Sequence, residues 1–169
     1  IAASHGGTSP NAASGSADAA HNGASALALL MAFVCMWALA RRLSGSDGAG
    51  LVSATAFTFS PYVSARTPHI QLLMIFVFPL LLLSLHRLAE RPHVVRGLEL
   101  GVVLALAALA CGYYGIYGGA VIALMAIWMA RRDRAYWGAL VLAALVAAAL
   151  VYPVFSAFNE ARAASGASG

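Results

Sequence analysis

From residue 94 to residue 130 the chain is apolar almost without interruption, a run too long for one membrane crossing. As a single helix it would reach about 55 Å at about 1.5 Å per residue, against a hydrocarbon core of about 30 Å. It must be broken, and "CGYYGIYGG" near its midpoint supplies glycines for the break. The run therefore divides into two crossings, about 95–112 and 114–130, with the chain break near Gly112 to Gly115.

The same test along the chain finds further crossings at about 24–43, 48–65, 68–89 and 136–155. Ser46 or Asp47 can cap the second of these, and Pro61 lies near its end. Pro79 falls in the middle of the third, where a kink is expected because neighbouring helices absorb the lost hydrogen bond. Pro153 marks the end of the last. The expected fold is all-α: a polytopic transmembrane bundle of about six membrane-embedded helices spanning residues 23–158. Residues 1–22, rich in Ala, Ser and Gly, read as a disordered or low-complexity lead-in with neither the charged nor the apolar region of a signal peptide. Residues 159–169 read as a disordered tail. Such ends, and a start at Ile1, are expected of a piece of a longer protein.

Composition agrees with lipid as the main solvent. Hydrophobic residues make up 62% of the chain and charged residues 9%, against about 25% in soluble domains; mean hydropathy is +0.82. The pI near 9.5 does not signal a nucleic-acid partner, because the arginines fall in short clusters between apolar runs. Cys35 and Cys111 both lie inside apolar runs and read as small buried residues, without metal-ligand spacing. The partner called for is the bilayer.

Orientation follows from arginine. Alternate connections hold Arg41, Arg42, Arg87, Arg91, Arg96, Arg131, Arg132 and Arg134 on one side, and only Arg66 and Arg162 on the other. Eight against two is a positive-inside signal, so the first, third and fifth crossings end in the cytoplasm of an inner-membrane protein. Trp37, Trp128 and Trp137 lie near the arginine-rich side, as an interfacial belt does. Tyr62, Tyr113, Tyr114, Tyr117 and Tyr152 lie toward the other.

That second side carries the candidate chemistry. In "SARTPHIQ", Thr67 caps and Pro68 opens a helix whose free N–H groups carry partial positive charge. Arg66, His69 and Gln71 gathered there form a site for a phosphate or carboxylate. The plainer alternative is an arginine snorkelling to headgroups beside a histidine that caps a turn. Tyr62, Tyr113 and Tyr114 can line a cleft for a sugar or lipid head, or form an aromatic belt at a hairpin. Gly115 and Gly119 have the small-xxx-small spacing of closely packed helices. Glu160 is an outward carboxylate of the kind usually solvated. On the arginine-rich side, Glu99 can pair with Arg96, Asp47, Glu90 and Asp133 read as local charge partners, and His86 and His93 as loop residues. No Walker loop, Cys/His ligand set or nucleophile elbow is present.

"LARRLSGSDGAGLVSATAFTFSPYVSARTPHIQLL", followed by "FPLLLLSLHRLAERP" and "CGYYG", resembles bacterial multi-pass glycosyltransferases of the C superfamily, similar in architecture to protein mannosyltransferases and aminoarabinose transferases. The matching positions are Ser60, Pro61, Tyr62, His69, Gln71, Leu72, Pro79, Leu80, His86, Arg87, Tyr113 and Tyr114. The resemblance implies transfer of a sugar from a polyprenyl-phosphate donor on the outer face, with Arg66, His69 and Gln71 on the donor phosphate and Tyr62, Tyr113 and Tyr114 at the sugar or lipid. No cofactor is evident; a divalent metal is left open for the full-length enzyme. The catalytic carboxylate of such enzymes lies in the first outer loop, ahead of everything matched here, so the resemblance implies a middle fragment without its general base. The rival classes are a transporter segment, marked by broken helices and intramembrane polar residues, and a non-catalytic structural membrane protein.

Overall fold

The structure is a computed structural model that describes residues 10–65, 73–130 and 132–166. Its regular elements are helical: α1 (Pro10–Ser44), α2 (Asp47–Thr58), α3 (Pro61–Ser64), a 3-10 turn (Met74–Phe76), α4 (Val77–Glu90), α5 (Val94–Ala110), α6 (Gly112–Trp128) and α7 (Arg134–Gly166). The all-α fold is the one the apolar runs called for. Two stretches, Asp18–Ser44 and Arg134–Ala163, are long and apolar enough to cross a membrane, and α6 is a shorter apolar helix. The remaining helices are shorter than the crossings read from hydropathy.

Local chemistry explains the boundaries. Gly45 (φ 69°) ends α1 in the left-handed region, its N–H bonded to the Arg41 carbonyl at 2.8 Å. Ser46 then caps α2, its side chain accepting from the Ala49 N–H at 3.4 Å. Pro61 does not lie inside the second helix as expected. α2 stops at Thr58, Ser60 is extended, and Pro61 opens α3, because a proline disfavours helical backbone in the residue before it. Pro79 likewise causes no mid-helix kink. The 3-10 turn gives way to α4 at Val77, so Pro79 sits in the first turn, where its missing N–H costs no hydrogen bond. The break in the long apolar run falls at Cys111, just ahead of the expected glycines, with extended backbone (φ −158°, ψ 128°).

Both ends differ from their sequence reading. α1 is helical from Pro10, so much of the expected lead-in belongs to the first helix, and Ala28 is its first buried position among the residues whose burial is described. Alanine is the strongest helix former, and this stretch is rich in it. Pro153 lies within α7 rather than at its end, and the helix continues to Gly166, through the stretch read as a tail.

The central element is α4, which buries Val77, Leu81, Leu85 and Leu88 against its neighbours. α1 and α2 form an antiparallel hairpin in which Trp37 packs on Gly50; a Cβ on Gly50 would stand 2.7 Å from the indole and 3.2 Å from the Trp37 carbonyl oxygen. α5 and α7 run parallel. Gly97 meets Ala139 and Gly101 meets Ala143, four residues on along both helices, with contacts too close for a side chain on the α5 face. Tyr136 is fully buried at the start of α7 and donates its hydroxyl to the Ala126 carbonyl at 2.9 Å, joining α7 to α6. Large apolar side chains such as Ile116, Leu124, Leu145 and Val154 remain exposed around the outside, where lipid would cover them.

Candidate functional site

The bundle has two chemically different ends. At one, ion pairs tie helix termini together. Arg41 pairs with Asp47 at 2.9 Å and its guanidinium lies 5.1 Å over the Trp37 ring. Arg42, at the end of α1, pairs with Glu90, at the end of α4. Glu99 accepts from Arg96 at 2.6 Å and from Arg87 at 2.9 Å, and Ser84 Oγ lies 3.4 Å from the same carboxylate. The Arg96 partner was expected from spacing; Arg87 comes from α4 and depends on how α4 packs on α5. Asp133 caps α7, its Oδ1 accepting from the Ala135 N–H at 2.9 Å, and His93 caps α5. His86 is not a loop residue: it lies on α4, its Nδ1 2.9 Å from the Leu82 carbonyl.

α5 carries the chain about 25 Å from this end to Cys111, where the second end begins. There a groove of about 610 Å³ is lined by the end of α5, the start of α6 with Tyr113, Gly115 and Ile116, and Phe155 of α7. Gly115 makes the hairpin tight, since a Cβ there would stand 2.7 Å from Ala108 Cα. Gly119, its expected companion, faces open space; Gly118 is the closely packed one, against Leu81.

The predicted site residues are distributed differently from one another. Tyr113 is 70% exposed and lines the groove. Tyr114 turns inward at 6% exposure, its ring edge-on to Phe78 at 5.1 Å, and is a core residue. Helical geometry explains the split, because adjacent residues point about 100° apart. Tyr62 is exposed on α3 and does not line the groove. Arg66, His69 and Gln71, with the helix start at Thr67 and Pro68, lie outside the described residues. Two polar atoms near this end escaped the sequence reading. Ser25 Oγ on α1 and Thr58 Oγ1 on α2 are buried with no hydrogen-bond partner among the described residues. Serines and threonines inside apolar runs usually bond to their own helix, as Thr55 does to Leu51 at 2.8 Å, so nothing in the sequence marks these two out.

The groove offers aromatic and apolar surface with little charge, a surface suited to a sugar face or a lipid chain. Among the described residues no three His, Cys, Asp or Glu side chains gather as a metal site. The family model for dolichyl-phosphate-mannose-protein mannosyltransferases matches residues 12–156, most of the chain. The protein belongs to that family. Comparison with curated proteins and with solved structures gives no match. As a member of the mannosyltransferase family the chain is of the C-superfamily glycosyltransferase type, and two of its helices are long and apolar enough to cross a membrane, in keeping with a membrane family. The match begins within α1 and ends in α7 just past Pro153, so it takes in both ends of the bundle.

Proposed function

We propose that this chain forms the transmembrane part of a bacterial enzyme that transfers a sugar from a polyprenyl-phosphate carrier to an acceptor on the outer face of the inner membrane. The observation that carries this reading is the family match over residues 12–156. It favours an enzyme over a transporter segment. The arginine-rich end faces the cytoplasm by the positive-inside rule, which turns the Tyr113 end outward. On this reading the groove beside Tyr113 and Phe155 holds the sugar or the first part of the carrier. Arg66 offsets the charge of the donor phosphate as it leaves, and His69 and Gln71 donate hydrogen bonds to it. Val63 and Leu73, the described core residues nearest to these positions in the chain, are both buried. An acceptor hydroxyl attacks the anomeric carbon, the bond to the phosphate oxygen breaks, and a carboxylate base takes the hydroxyl proton.

The test is transfer in membranes containing the full-length protein, with labelled sugar supplied on polyprenyl phosphate or on a nucleotide. Product from the lipid-linked donor alone is expected. Equal product from the nucleotide sugar, with the carrier omitted, would overturn the donor assignment.

A further inference from the structure

The two ends of the parallel α5–α7 pair are unlike, and the arginine-rich one contains a cleft apart from the groove beside Tyr113. Its volume is about 340 Å³; Pro92, His93 and Val94 line one side, and Gly138, Ala139 and Leu142 the other. Because α5 and α7 run parallel, both helix N-termini open beside it, each a source of partial positive charge. Arg91 and Arg132 lie in the loops that lead into these helices and Arg134 opens α7, all three exposed. Four other arginines at this end, Arg41, Arg42, Arg87 and Arg96, are spent on Asp47, Glu90 and Glu99. Among the described residues Arg91, Arg132 and Arg134 form no ion pair. The one acidic group between them, Asp133, is turned to the Ala135 N–H. His93 Nδ1 accepts from the Val95 N–H at 3.3 Å, so the neutral ring carries its proton on Nε2 and can donate.

We propose that this cleft seats one anionic phospholipid, its phosphodiester held by Arg91, Arg132, Arg134 and His93 and an acyl chain lying along Gly138 and Leu142. Charge complementarity selects the headgroup. The apolar walls select a lipid over free phosphate, because Val94, Ala139 and Leu142 offer an inorganic ion nothing. Gly138 has no atom within 4 Å of where a Cβ would stand, so the acyl path is open beside it. An arginine near an anionic lipid surface contributes about 1 kcal/mol, or about fivefold in binding. Three together give a preference on the order of a hundredfold over a zwitterionic lipid.

The experiment uses the whole protein extracted from vesicles of equimolar phosphatidylglycerol and phosphatidylcholine, with retained lipids counted by native mass spectrometry. The wild type is expected to retain one phosphatidylglycerol preferentially. Arg91→Gln/Arg132→Gln/Arg134→Gln should erase the preference. Gly138→Leu, which keeps every charge and fills open space, should reduce the retained lipid several-fold with helicity unchanged. Equal retention of both lipids by the wild type, an undiminished preference in the triple variant, or unchanged retention in Gly138→Leu would each overturn the seat. Displacement of the lipid by millimolar inorganic phosphate would overturn it in favour of a phosphate site, and displacement only by an acidic peptide in favour of a protein partner.

Discussion

Gly97 lies against Ala139 so closely that a Cβ on Gly97 would stand 2.6 Å from the Ala139 carbonyl oxygen. Backbone, not a flexible side chain, occupies the space, so nothing can turn aside to admit a methyl group. One turn further along, Gly101 stands in the same relation to Ala143. Lipid tails are as apolar as leucine, so this seam is held by dispersion contacts that only close approach provides.

Enlarging Gly97 or Gly101 should therefore separate α5 from α7. Leucine at either position is expected to cost about 1–3 kcal/mol, read as earlier unfolding in detergent. Gly119→Leu on α6, where the added side chain meets open space, is the matched control and should be close to neutral. Equal losses in all three would mean that the seam is not the cause.

Glu99 joins α4 and α5 by accepting from Arg87 and Arg96. Its side chain is 26% exposed and those of the arginines are 34% and 39%, so water screens the pairs. Glu99→Gln should lower stability by no more than about 1 kcal/mol, and less in high salt. Removing Arg87 in the same background should add little further loss, as a double-mutant cycle would reveal.

Single cysteines at Arg41, Arg87 and Arg132, in a background lacking Cys35 and Cys111, should label from one side of sealed vesicles. A cysteine at Tyr113 should label from the other. Labelling of all four from the same side would reject the two-ended arrangement on which the functional reading depends.

Arg66→Lys distinguishes an anion site from a membrane anchor. A snorkelling cation tolerates lysine, whereas a fork on a phosphate does not. Loss of a charge-assisted contact costs about 1.5–3 kcal/mol, so transfer from the lipid-linked donor should fall roughly ten- to hundredfold. His69→Ala should weaken the same step in folded protein. Wild-type transfer by both variants would leave only the anchor.

What the sequence made legible was whatever depends on length or near neighbours. The run from residue 94 to 130 could not be one crossing, and it breaks at Cys111. Ser46 caps α2, and the i,i+3 spacing placed Arg96 on Glu99. Legibility failed where an outcome depends on which element arrives from elsewhere. Arg87 reaches Glu99 only because α4 packs on α5. Gly118, not Gly119, is tight because Leu81 lies opposite it. Tyr113 and Tyr114 are alike in the sequence, and only the phase of α6 sends one to the groove and the other against Phe78. The two early prolines were misjudged for one reason: their effect depends on where a helix starts, and hydropathy locates that poorly.

The parallel α5–α7 seam also sets an order of assembly. Gly97 is synthesised before Ala139, and α6 with both its loops lies between them. α5 therefore enters the bilayer with its glycine face bare and keeps it so until α7 has been made and has crossed in the same direction. A contact this distant in the chain closes late. During that interval the glycine strip is open to any other small-faced helix nearby, and the short connections around α6 limit how long the interval lasts.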